Sequence, residues 1–193
     1  MNAIPPSAVI TAFSDARDER LAARDLAQKL RHDNLGCVLF FCSIDYRLDR
    51  LAGALAEAFG DLPLCGCTSA GEITSRGYDS GTIVAIGFDR RFFSVGARLI
   101  ERLDGFSLAD AQQLTDSLLS ECRAASVERV DADNTFVLTL LDGLSVNEEL
   151  VLATLNSALG SITSLGGSAL SSWTTRRSAS AAVTTSFTVA GRR

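Results

Sequence analysis

Two rhythms of apolar and polar positions alternate along this chain. Residues 7–13, SAVITAF, are a short run of β-formers, and SDARDERLAARDLAQKLRH after them carries Leu21, Ala22, Leu26 and Leu30 at helical spacing. A strand and then an amphipathic helix follow from this, with Ser14 or Asp15 as N-cap and acids in the first turn. GCVLFFCS, residues 36–43, is the unbroken apolar run of a strand buried on both faces. DYRLDRLAGALAEAFG puts Leu48, Leu51, Leu55 and Phe59 on one helical face and ends at Gly60, a C-cap. DLPLCGCTSA enters a third strand after Pro63.

Strands alternating with helices predict parallel crossovers and helices that cover the sheet. GTIVAIGF and FFSVGARLIE have no helix between them, only a polar DRR turn, and read as an antiparallel hairpin. SLADAQQLTDSLLSECRAA is a helix with Ser107 as N-cap and Asp110 beside it. TFVLTLLDG is a buried strand, SVNEELVLATLNSALG a helix, and SITSLGGSA a further strand. The predicted fold is α/β, a mixed, largely parallel sheet with flanking helices and an inserted β-hairpin.

The chain also matches itself. CVLFFCSIDYRLDRLAGALAEAFGDLPLCGCTSAG and FVLTLLDGLSVNEELVLATLNSALGSITSLGGSAL share one layout: strand, polar turn, helix, strand, glycine turn. Their Ser-Ala pairs, Ser69-Ala70 and Ser168-Ala169, lie 99 residues apart. An internal duplication accounts for this and makes the two glycine turns equivalent. Residues 171–193 break the pattern: they are almost all Ser, Thr, Ala and Arg, with four arginines and no acid. The division predicted is a folded domain over 1–170 and a low-complexity, disordered tail over 171–193.

Composition narrows the function classes. With 193 residues, 47% of them hydrophobic, and a net charge of −5, the chain has a globular core and lacks the basic stripe of a nucleic-acid binder. No apolar run reaches the roughly 18–20 residues that span a bilayer, so membrane insertion is not expected and a cytoplasmic placement is. Five cysteines, Cys37, Cys42, Cys65, Cys67 and Cys122, fall mostly in apolar runs and read as reduced, buried thiols.

CGCTSAGEIT, residues 65–74, is the stretch with candidate chemistry. Cys-x-Cys is not the usual zinc-knuckle spacing, and His32 is the sole histidine, read here as a solvated helix-terminal residue. No Gly-x-Ser-x-Gly elbow is present. Gly66 and Gly71 bracket four residues as in a phosphate loop, but Glu72 stands where a lysine would be needed. What remains is a turn at the carboxyl end of a strand, where α/β sheets bind ligands. There Gly66, Cys67, Thr68, Ser69, Ala70, Gly71 and Glu72 form a candidate ligand surface, with Cys42, Ser43, Asp142 and Gly143 as neighbouring strand ends. The competing reading is structural: glycines for tight turns, and Glu72 capping nearby amides.

At these residues the chain resembles the FIST family of bacterial sensory domains. The family's Gly-Cys-Thr/Ser-x-Ala-Gly-Glu-Ile hallmark matches Gly66, Cys67, Thr68, Ser69, Ala70, Gly71, Glu72 and Ile73 without a gap, and Gly166, Gly167, Ser168 and Ala169 match a later Gly-Gly-Ser-Ala turn. Family members usually continue Gly-Asp after that turn and run on toward a C-terminal FIST domain. Leu170 and Ser171 stand there instead, so the resemblance is read as ending at Ala169, with a truncation or frame shift as the cause. The resemblance implies a non-enzymatic sensor that binds a small molecule such as an amino acid and signals to a histidine kinase, a cyclic-di-nucleotide module or a chemotaxis module. One branch resembles haem-binding nitric-oxide sensors, for which His32, the cysteines, Tyr46 and Tyr78 supply the available axial atoms. A non-functional fragment is the remaining alternative.

Overall fold

The computed structural model describes residues 7–100, 103–125, 130–142, 147–169, 172–174 and 184–191. The first half of the chain runs β1 (Val9–Ser14), α1 (Glu19–Lys29), β2 (Leu35–Ser43), α2 (Leu48–Phe59), β3 (Leu64–Ser69), a small hairpin of β4 (Glu72–Thr74) and β5 (Gly77–Asp79), then β6 (Ile83–Asp89). The second half runs β7 (Phe93–Ile100), α3 (Leu108–Ala125), β8 (Thr135–Asp142), α4 (Glu148–Leu159), β9 (Thr163–Ala169), β10 (Ser172–Thr174) and β11 (Thr184–Gly191).

Local chemistry explains the helix ends. Asp18, rather than Ser14 or Asp15, caps α1: its carboxylate accepts from the amides of Arg20 at 3.0 Å and Leu21 at 2.9 Å. Leu21 is 58% exposed, so the buried stripe of α1 is Ala22, Ala23 and Leu26. Ser107 and Asp110 cap α3 reciprocally, the Ser107 amide donating to Asp110 at 2.9 Å and the Asp110 amide to the Ser107 hydroxyl at 3.3 Å. Helices α2 and α4 end on Gly60 and Gly160, at φ 62° and 63°, in the left-handed region that favours glycine.

Two sheets form the centre. Their strand orders are β1-β6-β2-β3-β10 and β7-β11-β8-β9. In each, one pair is parallel, β2 with β3 and β8 with β9; the other pairings are antiparallel. The sheets are therefore mixed as expected, but not largely parallel. β1 and β2 do run the same way, as their crossover helix requires, yet β6 lies between them and reverses both pairings. Residues 83–100 likewise form no hairpin. The turn after β6 carries the chain from one sheet to the other, because both edges of β6 are already taken, by β1 and β2. The turn is built on Asp89, whose carbonyl accepts from the Phe92 amide at 3.0 Å and whose buried carboxylate holds Arg91 at 2.6 Å. His32 packs there too, its Nε2 3.6 Å from Asp89 and its side chain 18% exposed, so it is not a solvated helix end.

Face to face, the sheets share a core of Cys37, Leu39, Cys65, Cys67, Phe88, Ala97, Leu140 and Ala169. α1 and α2 close the outer face of the first sheet over Val38, Phe40, Cys42 and Ile83, while α3 and α4 close that of the second over Ile100 and Leu141. The result is four layers, helix, sheet, sheet, helix. Full burial of side chains such as Phe40, Leu55 and Leu64 contributes about 1.5–3 kcal/mol each.

The duplication is visible in the topology and extends further than the sequence match. β1-β6-β2-β3 and β7-β11-β8-β9 have the same order and the same directions. Gly66 lies beside Phe40 and Gly166 beside Thr139, and a Cβ would sit 2.3 Å from the Phe40 carbonyl oxygen or 2.4 Å from that of Thr139. These two glycines are equivalents. By the same register the counterpart of Ser69 is Ala169, one residue off the Ser-Ala alignment.

The tail belongs to this plan. β10 covers the outer edge of β3, and β11 lies between β7 and β8, the counterpart of β6. The expectation of disorder over 171–193 is thus overturned for 172–174 and 184–191; the remaining tail positions lie outside the described residues. Composition misled because Ser, Thr and Ala lack the apolar weight by which a central strand is recognised, although Thr and Val are β-formers.

A chain ended after Thr174 removes β11 and leaves β7 and β8 unbridged. Thermal unfolding followed by circular dichroism is expected to lose its cooperative transition; an unchanged melt would refute the central placement of β11. Gly66→Ala and Gly166→Ala are each expected to destabilise by about 1–3 kcal/mol or more through overpacking. Gly53→Ala in α2, where an added Cβ meets nothing within 4 Å, should stabilise by about 0.5–1 kcal/mol. Urea midpoints of the three variants check the order.

Candidate functional site

The signature stretch begins inside the sheet. Cys65 and Cys67 of β3 point into the core between the sheets, while Gly66, on the helix-facing side, leaves the space that the Phe40 ring fills. A Cβ on Gly66 would be 2.6–2.7 Å from that ring. The glycine therefore serves the packing of a buried aromatic, not the approach of a ligand. Thr68 is buried as well. Burial pushes the Cys67 thiol up to about 12, and it does the same to Cys42, helped by the nearby Cys67 and Glu72. Both stay protonated near neutrality, which disfavours nucleophilic or metal-binding roles. All five cysteines are buried, and none of them forms a disulfide.

At the end of β3 the chain turns through Ser69, Ala70 and Gly71 into the β4–β5 hairpin. Glu72 opens that hairpin and is 2% exposed. Ser69 donates its hydroxyl to Glu72 Oε1 at 2.8 Å, and Thr82 donates its hydroxyl at 3.0 Å and its amide at 3.4 Å to Oε2. Ser69 closes β3 and Thr82 precedes β6. One carboxylate thus gathers both ends of the 70–82 excursion, and its three donors are all neutral. Gly71 lies against Tyr78 of β5: a Cβ there would be 2.0 Å from the Tyr78 hydroxyl, which donates to the Ala70 carbonyl at 3.4 Å.

Neighbouring strand ends close the same region. The Ser43 amide donates to the Thr82 carbonyl at 2.9 Å, and the Ser43 hydroxyl accepts from the Asp45 amide at 3.2 Å. Tyr46, buried and pushed up to about 12 chiefly by that burial, donates to the Ala16 carbonyl at 2.8 Å. These bonds tie the end of β2 and the segment after it to the residue before β6 and to Ala16 ahead of α1, beside the turn. Of the seven signature positions, Ala70 is exposed, Ser69 and Gly71 are half-buried, and Gly66, Cys67, Thr68 and Glu72 are buried.

In the second half, Asp142 pairs with Ala169 at the matching strand ends; its side chain and Gly143 lie outside the described residues. Ser168 donates to Glu148 at 2.5 Å, joining β9 to the start of α4. No acid follows Glu149, so the Ser69–Glu72–Thr82 tie has no counterpart there. Sequence reading missed Thr82, and it named Tyr78 only as a possible axial atom for haem, not as the side chain against the turn. The signal for Thr82 was its place immediately ahead of an apolar strand, which marks it as the second anchor of the excursion.

The haem reading fails on geometry. His32 Nδ1 accepts from the Asn34 amide at 3.1 Å, with Asp89 on the other side of the ring. The cysteines are buried in packed cores, Tyr46 is committed to Ala16, and the Tyr78 hydroxyl leans on Ala70 and Gly71. The described residues do not fit a haem ligand set. Among them, too, no three His, Cys, Asp or Glu side chains converge as a metal site, and no helix is long and apolar enough to cross a membrane.

A family model, the FIST N domain, matches residues 36–190. None of the curated proteins compared with the chain matches it. The match begins within β2 and runs through β9, β10 and β11, so the family pattern does not stop at Ala169.

Glu72→Ala leaves Ser69 and Thr82 without their acceptor. It is expected to cost about 1–3 kcal/mol and to accelerate amide exchange over residues 72–79 more than elsewhere, while Glu72→Gln, which keeps an acceptor oxygen, costs less. Hydrogen exchange read by mass spectrometry checks both; uniform acceleration across the chain would contradict the tie.

Proposed function

Because the chain belongs to the FIST family, a family of sensory domains implicated in signal transduction, we propose that it is a non-catalytic, cytoplasmic ligand-sensing domain of bacterial signalling. Its ligand is a small molecule such as an amino acid, and its outputs are modules of the histidine kinase, cyclic-di-nucleotide or chemotaxis kind. The observation that carries this reading is the buried tie of Glu72 to Ser69 and Thr82. A carboxylate held only by neutral donors couples an accessible turn to two strand ends, and a change at the turn is transmitted to both.

The contact surface in this reading is Ser69, Ala70 and Gly71, with Ser43, the register partner of Ser69, as neighbour; Gly143 and the Asp142 side chain lie outside the described residues. Gly66, Cys67, Thr68 and Glu72 act from beneath, as the frame that fixes the turn. An amine is a suitable partner here, because the carbonyl of Ala70, an exposed residue, and the hydroxyl of Ser69 are acceptors beside Glu72.

Thermal unfolding across an amino-acid and metabolite panel tests the proposal. A true ligand present at about 100 times its Kd raises stability by about 2.7 kcal/mol, and Ala70→Arg, which obstructs the turn without touching the core, is expected to abolish that rise. A rise that persists in Ala70→Arg, or a melt that no member of the panel shifts, would count against it.

A further inference from the structure

Among the described strands β1 is an edge of the first sheet, and a cavity lies along it, away from the signature turn. The Asp89 amide donates to the Ala8 carbonyl at 3.0 Å, which sets the alternation of the β1–β6 ladder. Ile10, Ala12 and Ser14 bond inward to β6, and Val9, Thr11 and Phe13 turn their backbone groups outward. Thr11 and Phe13 stand beside Ile86 and Val84, their register partners, on the face that elsewhere packs against the second sheet. Ile73, Thr74 and Ser75 of the hairpin stand opposite. The space between them is about 470 Å³, within the range of small-ligand pockets.

Two cations border this cavity and both are compensated. Lys29 Nζ donates to the Phe13 carbonyl at 2.7 Å and to Asp25 at 2.8 Å, and lies 5.2 Å from the centre of the Phe13 ring. Arg76, at the tip of the hairpin, lies 4.7 Å from the same ring and pairs with Asp15 at 3.0 Å and Asp79 at 2.9 Å. The walls are thus apolar and hydroxylic with little net charge. Ile73 is 80% exposed, so an occupant would cover apolar surface that now meets water. Lys29 occupies the Phe13 carbonyl and stops strand pairing there. An added long strand, or a second copy of β1, is blocked at that point, while the amide and carbonyl of Thr11, on the rim, have no partner among the described residues.

We infer that this cavity binds one uncharged, peptide-like unit, an apolar side chain flanked by an amide donor and an amide acceptor. Its N–H and C=O pair with those of Thr11 as a neighbouring strand would, and its side chain enters between Phe13, Val84, Ile86 and Ile73. The occupant lies under the hairpin that Glu72 anchors, and the exposed Arg76 pairs, weak because solvent screens them, let the tip lift to admit it. The site is separate from the turn at Ser69–Gly71 and stands whether or not that turn binds anything.

Titrating the isotope-labelled full chain with N-acetyl-L-leucine methylamide, followed by amide NMR, tests the inference. Saturable shifts are expected at Thr11, Ile73 and Val84. The depsipeptide analogue, with ester oxygen in place of the leucine N–H, should bind roughly tenfold more weakly through loss of one hydrogen bond. Ile73→Arg, at an exposed position that leaves the melt unchanged, should weaken binding by a similar factor. Absence of saturable shifts at Thr11, equal affinity for amide and depsipeptide, or shifts confined to Ser69–Gly71 would each overturn it. Failure here leaves the response of the Ala70 surface to its own ligand unaffected, so the two readings fail separately.

Discussion

Each sheet depends on a strand that returns to lie between the first two. A β-α-β unit brings β1 and β2 into parallel alignment with a gap of one strand, and β7 and β8 likewise. Unfilled, that gap would leave backbone amides and carbonyls without partners in the middle of a core, at a cost that no nearby hydrophobic contact offsets. β6 fills the first gap and β11 the second, each bonded on both sides. The shared core between the sheets, the helices on the outer faces and the position of the signature turn all presuppose those two insertions.

This constraint separates what could be read in the sequence from what could not. The strong helical stripes and apolar runs made the α/β class, most of the elements and the Gly60 cap legible, because each is decided within a dozen neighbouring residues. The pairing of β6 with β1 and β2 is decided by residues about 40 to 80 positions away, and a three-residue polar turn says nothing of it. The tail was hardest: Thr184–Gly191 lacks bulky aliphatics and gains its place from β7 and β8, not from its own period. The repeat in topology was the available clue, since a second copy of the first half requires a final strand after its glycine turn.

Among the signature residues the sequence located the turn and could not rank its members. Gly66, Cys67 and Thr68 looked like ligand-facing small residues because small side chains serve both close backbone approach and tight packing. Only the Phe40 ring, 26 positions earlier, decides between these uses, and it decides for packing. Glu72 carried the opposite ambiguity. A carboxylate after a glycine turn reads as accessible, yet its burial and its bonds to Ser69 and Thr82 make it the pin of a hairpin. The structural reading and the functional one then converge, since a pin that joins a turn to two strand ends is also the part through which the turn can be felt.

The two halves have kept one plan and diverged at one place. Between β3 and β6 the first half carries residues 70–82, with a hairpin, a buried acid and an adjoining cavity. Between β9 and β11 the second half carries a segment of nearly equal length, 170–183, without a single acid. From it comes β10, which pairs back onto β3 and covers the edge of the first sheet. The same loop of the plan thus became a hairpin beside a pocket in one copy and an edge cover in the other. A duplicated fold frees one copy of an element from holding the structure together, and here that freedom lies in the first half, where the hairpin pairs only with itself and hangs on Glu72.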